Sequence, residues 1–307
     1  MQVLITGGAG FIGSHTAEAL LKLGASVRVL DNLSTGKKEN LPEHDRLSLH
    51  IGDIQNKENV KNAMQGMTHV LHLAAQVSVQ ASIEDPATSC SQNIQGFVNV
   101  LSEAKEQQVR RFVYASSAAV YGVPQQLPIG ENDALNPISP YGLEKSVNEQ
   151  YAHLFDDLFG FKSLGLRYFN VYGPRQDPSS PYAGVISKFL EFIDKKQPLT
   201  VFGDGEQTRD FIFVKDIAKA NIDALQGEAS GFCNVGTGNT FTLLQVIDVL
   251  SDCVGRKLEV KHLPARDGDI VHSSAKVDKI KELIDFSAES DLSEGLKDLA
   301  RYFKVIA

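Results

Sequence analysis

VLITGGAGFIG, residues 3–13, is the stretch that decides the fold. A short apolar run is followed by Gly7, Gly10 and Gly13 in the spacing G-x-x-G-x-x-G. Glycine permits a tight turn and lets backbone N–H groups approach a pyrophosphate, and the positive end of the next helix favours the same anion. An isolated match of this kind is also typical of a purely structural turn, so its context must decide between the two.

Acidic residues that follow the next apolar runs supply this context. Asp31 and Asn32 come about 18 residues after Gly13, where the ribose of an adenosine is expected. A carboxylate accepts hydrogen bonds from the ribose hydroxyls and repels a 2′-phosphate, which favours NAD over NADP. Asp53, which follows His50, Ile51 and Gly52, is predicted to reach the adenine edge, although a lone aspartate there is equally typical of a loop cap.

Short apolar runs alternate with amphipathic stretches in the first half of the chain. The expected strands cover residues 3–6, 27–30, 70–73 and 112–115, and a helix is expected from about residue 13 to 23. This alternation predicts an α/β fold, with a Rossmann-type doubly wound parallel sheet and a smaller mixed α/β substrate lobe. We expect residues 1–168 to form the dinucleotide-binding domain and residues 169–307 the second lobe, with segments between about 208 and 250 returning to the first.

Composition limits the classes of partner. The net charge of -8 argues against a general nucleic-acid binder. Three scattered cysteines show no disulfide or C-x-x-C pattern, and the chain has neither a signal-like first segment nor an apolar run near the roughly 18 residues of a membrane span. We therefore expect a cytoplasmic protein that does not associate with membranes. The eight histidines show no ligand spacing, and no metal is predicted.

Two motifs later in the first half predict catalytic chemistry. SPYGLEK, residues 139–145, opens a helix with a serine cap and a proline in the first turn. Tyr141 and Lys145 then share one helical face. The lysine ammonium and a positive nicotinamide ring would both favour the tyrosinate that a base at neutral pH requires. Because Y-x-x-x-K is common by chance, the alternative is a core tyrosine beside a solvated lysine.

A strand that ends in small hydroxyl residues favours the catalytic alternative. Ser117 lies in YASSAAVYG, residues 114–122, at the carboxyl end of a predicted parallel strand. Ligands of such sheets bind at these strand ends. A serine at this strand end is expected to hydrogen-bond a substrate hydroxyl and to relay its proton to Tyr141, although strand-end serines are more often simple caps.

Together these motifs resemble the extended short-chain dehydrogenase/reductases, in particular the UDP-glucose and UDP-N-acetylglucosamine 4-epimerases, over essentially the whole chain. The resemblance implies Ser117, Tyr141 and Lys145 as catalytic residues and NAD as cofactor. It also places the H-x-A-A stretch that begins at His72 along the cofactor, and makes residues 169–307 a UDP-sugar-binding lobe. The expected cofactor contacts are Gly7, Gly10, Phe11, Ile12, Gly13, Asp31, Asn32, Asp53, Ile54, Leu73, Ala74, Ala75, Asn93, Tyr141, Lys145 and Tyr168.

Substrate contacts are expected from both halves of the chain. The two arginines among them can fork onto diphosphate oxygens, and Asp269 can accept from a ribose hydroxyl. Taken singly, each of these charged residues is as typical of a surface salt bridge. The expected contacts are Ser117, Tyr141, Asn170, Val185, Arg209, Arg266, Asp269 and Ser273.

The type of reaction is indicated by the stretch before V-Y-G. Dehydratases and decarboxylases of the family generally carry an acid there, whereas this chain has Ala118 and Ala119. An alanine transfers no proton, which favours 4-epimerisation through a 4-keto intermediate with NAD regenerated in each turnover. A 4,6-dehydratase, a UDP-glucuronate 4-epimerase and a non-enzymatic NAD sensor remain the alternatives.

Ser273, in GDIVHS at residues 268–273, bears on the choice of sugar. The resemblance places it where epimerases limited to glucose and galactose carry a bulky tyrosine. A small residue leaves room for a 2-acetamido group, so UDP-GlcNAc to UDP-GalNAc is the preferred reaction and UDP-Glc to UDP-Gal a further one. The resemblance also implies a homodimer formed through the helices that follow Asn93 and Tyr141.

Overall fold

The structure is a computed structural model that describes residues 1–177, 184–265 and 270–306. Its strands are β1 (Gln2–Thr6), β2 (Ser26–Asp31), β3 (Leu47–Ile51), β4 (His69–His72), β5 (Arg111–Ser117), β6 (Ser163–Tyr168), β7 (Asn170–Tyr172), β8 (Leu199–Phe202), β9 (Thr208–Arg209), β10 (Phe211–Phe213), β11 (Gly231–Val235), β12 (Phe241–Thr242) and β13 (Val260–Leu263). Its α-helices are α1 (Phe11–Lys22), α2 (Lys57–Met64), α3 (Val79–Glu84), α4 (Pro86–Cys90), α5 (Gly96–Glu106), α6 (Pro140–Phe159), α7 (Val185–Asp194), α8 (Val214–Gln226), α9 (Leu243–Val254), α10 (Asp278–Ile284) and α11 (Leu292–Tyr302).

The described residues form a seven-stranded parallel sheet in the order β11-β6-β5-β4-β1-β2-β3. The strand order reverses beside β1, which pairs with β2 on one side and β4 on the other. In a doubly wound sheet, a ligand crevice opens at the carboxyl ends of the strands at this reversal. The predicted α/β fold with a Rossmann-type sheet is confirmed.

Apolar side chains cover both faces of the sheet. On one face α1 and α8 pack against each other, in a core that includes Val29, Leu166 and Ile217. On the other face α2, α5 and α6 cover a core around Phe97 and Phe112. Strands buried on both faces read as continuous apolar runs, which is why the sequence showed them clearly.

A second apolar cluster lies among elements from the later part of the chain. It joins α7, α9 and α11 through residues such as Phe189, Val246 and Leu296. β11 and α8 come from this part of the chain but lie in or on the main sheet. The boundary at residue 168 stays a prediction. No helix in the described ranges combines the length and apolar character that crossing a bilayer requires.

Candidate active site

The glycine turn lies at the strand-order reversal. Gly7 directly follows β1 with a φ of 70°, and its N–H donates to Leu30 O on β2 at 2.8 Å. A side chain there is excluded, because a Cβ on Gly7 would lie 2.7 Å from Ala74 N in the loop after β4. The turn therefore brings the ends of three neighbouring strands together.

Gly13 lets α1 begin directly on this turn. A Cβ at Gly13 would lie 2.4 Å from Gly7 O and 2.7 Å from Gly8 Cα. Gly10 precedes α1, and no described side chain caps its N-terminus, which leaves backbone N–H groups available to an anion. Phe11 and Ile12 occupy the first turn and pack into the apolar cores. The turn thus fits the pyrophosphate of a dinucleotide.

Asp31 hydrogen-bonds to the backbone of the glycine turn. Its carboxylate accepts from Ala9 N at 2.9 Å and from Leu33 N at 2.8 Å, and it is buried. Each carboxylate oxygen has further acceptor capacity, so Asp31 can hold the turn and still accept from a ribose hydroxyl. A carboxylate suits this position because it can accept from the backbone of the turn and from a ribose hydroxyl at the same time.

Three further predicted contacts, Asn32, Asp53 and Ile54, follow the ends of β2 and β3. Asn32 donates through Nδ2 to Asp53 Oδ2 at 3.0 Å, which joins the ends of β2 and β3. Ile54 is buried in the core beneath α5, where a Cβ on Gly96 would lie 2.5 Å from its Cδ1. Asp53 also accepts from Gln55 N at 2.8 Å, as a loop cap does. The structure therefore brings these three residues together at one edge of the crevice.

The loop after β4 is tied down by Asn93, which lies in a π-helical turn (Ser91–Gln95) between α4 and α5. Its Oδ1 accepts from Gln76 N at 2.8 Å, while Nδ2 donates to Gln76 O at 2.9 Å and to Glu144 Oε2 at 2.6 Å. The amide thus holds the loop that contains Leu73, Ala74 and Ala75 against α6. Its predicted contact near the nicotinamide stays a prediction.

Helix α6 carries the predicted catalytic pair. Ser139 caps it, accepting from Gly142 N at 3.1 Å, and Pro140 occupies the first turn, as predicted. The ammonium of Lys145 lies 5.8 Å from the centroid of the Tyr141 ring and donates to Ala115 O of β5 at 3.0 Å. Tyr141 and Lys145 therefore share one helical face that points at the end of β5.

The protein environment alone does not lower the pKa of Tyr141, as a catalytic base requires. Burial raises the pKa of Tyr141; a hydrogen-bonding interaction with Ser117 lowers it and the charge of Glu144 raises it. Burial lowers the pKa of Lys145 to about 8, although the carboxylates of Glu144 and Glu149 raise it. Lys145 alone therefore does not turn Tyr141 into a phenolate. A positive nicotinamide ring would supply the missing stabilisation.

Ser117 stands at the last position of β5, as expected, and its hydroxyl accepts from Ala119 N at 3.2 Å. Behind it lies a buried polar network. Ser116 donates to Glu149 Oε1 at 2.6 Å, and Arg167 on β6 donates from Nε and Nη2 to the two Glu149 oxygens at 2.8 and 2.6 Å. This network fixes the end of β5 against α6, and with it the distance between Ser117 and Tyr141.

Two residues expected along the cofactor direct their polar atoms elsewhere. The Tyr168 hydroxyl donates to Asn221 Oδ1 on α8 at 2.6 Å, and burial raises its pKa well above the usual value. His72 Nδ1 is 2.8 Å from Thr6 Oγ1, its ring packs on Phe97, and burial lowers its pKa to about 3. These polar groups link β4 and β6 to neighbouring elements. The contact of Tyr168 with the nicotinamide ribose remains untested.

Among the predicted substrate residues, Arg209 lies on β9 and Ser273 hydrogen-bonds to that strand. Asn170 begins β7 with an exposed side chain, and Val185 begins α7. Arg209 donates from Nη1 to Val271 O at 3.0 Å. Ser273, which is 8% exposed, donates its N–H to Thr208 O at 3.1 Å. Arg266 and Asp269 lie outside the described residues.

Sequence reasoning missed three buried charged residues that organise the site, namely Glu144, Arg167 and Asp210. A signal for Arg167 was present, because a charged residue inside an apolar strand must be paired. The hydrogen-bond partners that fix these residues are 18 to 65 positions away along the chain, and no local sequence pattern identifies those partners. Within the part of the chain that the structure describes, no three His, Cys, Asp or Glu side chains are grouped as metal ligands.

The chain is similar to known proteins over nearly its whole length. Among curated proteins, the putative UDP-glucose 4-epimerase of Methanocaldococcus jannaschii is 39% identical over 305 residues, covering 99% of this chain and 98% of that protein. Among solved structures, the UDP-N-acetylglucosamine 4-epimerase from Methanobrevibacter ruminantium M1, in complex with UDP-N-acetylmuramic acid, superposes with a TM-score of 0.96 at 37% identity, covering 99% and 98% of the two chains. The UDP-glucose 4-epimerase of Thermus thermophilus, in complex with NAD, gives a TM-score of 0.91 at 38% identity, covering 99% of both chains.

A family model also matches most of the sequence. Residues 3–236 match the NAD dependent epimerase/dehydratase family, and this range includes the glycine turn, Ser117, Tyr141 and Lys145. The chain therefore belongs to the NAD-dependent epimerase/dehydratase family of enzymes, with NAD as its cofactor.

Proposed function

We propose that this UDP-sugar 4-epimerase acts preferably on UDP-GlcNAc, forming UDP-GalNAc, and also on UDP-Glc. The observation that carries the choice of reaction is the convergence of Ser117, Tyr141 and Lys145 at the carboxyl end of β5, with alanines instead of an acid at positions 118 and 119. This arrangement provides one proton-transfer residue and none for an elimination.

The protein groups have distinct tasks in this proposal. The Tyr141 oxygen takes the proton of the sugar 4-hydroxyl, and the Ser117 hydroxyl holds that sugar oxygen and the tyrosine oxygen together. The Lys145 ammonium donates to Ala115 O and keeps a positive charge near the Tyr141 ring. Bound NAD would accept a hydride from C4 of the sugar and return it to the opposite face of that carbon, so that oxidation and reduction balance within a turnover.

The preference for an N-acetylated sugar is supported by Ser273. The Ser273 N–H donates to the backbone of Thr208, the neighbour of Arg209, and this supports a small side chain near the arginine that is proposed to bind the diphosphate. The similarity to an enzyme named UDP-N-acetylglucosamine 4-epimerase, over 99% of this chain, points the same way.

The test is product analysis after incubation of the purified protein, without added cofactor, with UDP-GlcNAc, UDP-Glc, UDP-GlcA and dTDP-glucose. We expect interconversion of UDP-GlcNAc and UDP-GalNAc, and loss of turnover in Tyr141→Phe with NAD retained. A 4-keto-6-deoxy product from dTDP-glucose would instead identify a dehydratase. No reaction of any sugar, despite bound NAD, would favour a sensor.

A pair of variants at one position tests the sugar preference. Ser273→Tyr adds a ring where the 2-acetamido group is proposed to lie, so it should lower turnover of UDP-GlcNAc far more than that of UDP-Glc. Ser273→Ala keeps the space and should leave the ratio near that of the wild type. Equal losses for both sugars in Ser273→Tyr would contradict the proposed role of Ser273.

A second copy of this chain is the proposed partner. α6 exposes Leu143, Leu154 and Leu158 by 53%, 49% and 68%, at spacings of 11 and 4 residues that form a stripe along one side of the helix. Such a stripe is typical of a helix that packs against another helix. We expect a dimeric mass by light scattering, and a monomeric mass for Leu158→Glu. A monomeric wild type at micromolar concentration would contradict this.

A further inference from the structure

Asp210 is a fully buried carboxylate between β9 and β10. Its Oδ1 accepts from the N–H and the hydroxyl of Thr237, both at 2.8 Å, and its Oδ2 accepts from Gly238 N at 2.9 Å and Ala275 N at 3.2 Å. Burial raises its pKa, and these four hydrogen bonds oppose that rise. A buried carboxylate requires hydrogen-bond donors, and those of Asp210 come mainly from the backbone of other segments, so Asp210 links these segments together.

The segments that Asp210 joins are far apart in sequence. One is the turn at residues 237–238, and another is the run that leads from Ser273 to Ala275. Through its backbone carbonyl, Asp210 also accepts from Asn170 N at 3.1 Å. One residue thus connects the main chain of Asn170, Arg209 and the Ser273 run, all of which are proposed to hold the UDP-sugar.

Close packing leaves the Asp210 carboxylate little freedom to move. A Cβ on Gly236 would lie 2.7 Å from Asp210 Oδ2 and 2.6 Å from the Cβ of Ala275. The same run is also tied to β9 by the bonds from Thr208 N to Val271 O at 3.0 Å and from Ser273 N to Thr208 O at 3.1 Å. The side chains of Thr208 and Arg209 also bond to this run, through His272 and Val271 O, but both of these contacts are exposed, whereas the contact of Asp210 with Ala275 N is buried.

We infer that Asp210 is a positioning residue that sets the spacing between Arg209 and Ser273, and thereby the affinity and selectivity for the UDP-sugar. This inference rests on the proposed function of that site. Among the described residues, the hydrogen bonds of Asp210 go to Thr237, Gly238, Ala275 and Asn170, and none goes to Ser117, Tyr141 or the glycine turn. Its loss should therefore act on KM and on the choice of sugar, more than on kcat or cofactor content.

The test is Asp210→Asn compared with Asp216→Asn. Asparagine directs an NH2 group at two N–H donors, so it removes acceptor capacity without changing size. Asp216 is a matched control, since it is also buried and accepts from Glu289 N at 3.3 Å and Ser290 N at 3.1 Å, in a different part of the protein. Loss of the Asp210 bonds would let the Ser273 run shift relative to Arg209, so we expect KM for UDP-GlcNAc to rise about tenfold or more in Asp210→Asn, which corresponds to about 1.4 kcal/mol of binding free energy. kcat should change less than about threefold, and Asp216→Asn should keep the wild-type KM.

Thr237 provides a milder version of the same test if Asp210→Asn does not fold. Thr237→Val removes the hydroxyl that donates to Asp210, and Thr237→Ser restores it. We expect a rise in KM of a few-fold in the valine variant and rescue in the serine variant. A KM equal to that of the wild type in Asp210→Asn or Thr237→Val would overturn the inference, as would an equal rise in Asp216→Asn.

Binding of UDP, measured by calorimetry, separates failure of this inference from failure of the proposed function. If the wild type binds UDP and Asp210→Asn binds it about tenfold more weakly, the inference holds whichever sugar is the substrate. If the two proteins bind UDP equally, the inference is wrong while the proposed function stands. If the wild type binds no UDP, the proposed function fails and the inference fails with it.

Discussion

Replacement of Arg167 by methionine tests the network that holds the catalytic strand and helix together. Arg167 is wholly buried; it donates to both oxygens of Glu149, and from Nη1 to the Tyr121 hydroxyl at 2.7 Å. Its guanidinium also lies 3.9 Å from the centroid of the Phe232 ring. Methionine can fill much of this space, but it leaves the buried Glu149 carboxylate with the Ser116 hydroxyl as its main donor.

The expected cost follows from this loss of the counter-charge. Removing one partner of a buried ion pair typically destabilises a protein by about 3–5 kcal/mol, because the other charge stays buried without compensation. A protein of 307 residues has an unfolding entropy for which 1 kcal/mol corresponds to about 1.5 °C in Tm. Arg167→Met should therefore lower Tm by about 5–8 °C.

The assay is thermal unfolding of Arg167→Met, Glu149→Leu and the double variant, each saturated with NAD. Since the double variant removes both charges, it should be more stable than the sum of the two single losses predicts. The measured coupling then isolates the ion pair from the lost volume. A Tm drop below about 2 °C in Arg167→Met, or strict additivity in the double variant, would refute the reasoning.

Three further predictions concern the cofactor, acid stability and the pH profile. Gly13→Ala should purify with little NAD, because its Cβ would lie 2.4 Å from Gly7 O. Gly130→Ala should keep NAD, because its Cβ would lie 3.9 Å from the nearest atoms. Equal amounts of NAD released from the two variants by denaturation, measured by chromatography, would contradict this. His72 has a folded-state pKa of about 3 against an ordinary 6.5, so the unfolded chain alone takes up its proton as pH falls below 6.5. Denaturant titrations should therefore show a loss of about 2 kcal/mol from this group between pH 7 and pH 5, absent in His72→Asn; parallel losses in both proteins would exclude it. Glu144→Gln removes a negative charge that raises the pKa of Tyr141 and of Lys145. Both limbs of the pH profile of kcat/KM should therefore move to lower pH. Unchanged limbs would show that this charge does not act on Tyr141 and Lys145.

The main sheet and the catalytic helix were predictable because their signals are local. The glycine turn between β1 and α1, the apolar runs of β2, β4 and β5, and the serine cap of α6 all appear where the pattern places them. The observed bounds differ by one or two residues, since strand ends follow hydrogen bonding rather than apolarity. β3, β6 and β11 were not predicted individually, although they complete the same sheet.

Local spacing also determined which residues are available for chemistry. A separation of four residues places Tyr141 and Lys145 on one helical face wherever that helix lies. A strand followed by G-x-x-G-x-x-G produces an uncapped helix N-terminus. Both results depend only on backbone geometry over a few residues, which is why the sequence sufficed for them.

The tertiary structure alone decided how the polar side chains are used. Asn93 holds the loop after β4, Tyr168 bonds to Asn221, and Asp210 joins the turn at residues 237–238 to the Ser273 run. Each of these bonds spans 17 to 65 residues. A buried polar group must find a partner wherever the fold brings one within about 3 Å, and that proximity depends on how the segments pack rather than on any sequence pattern.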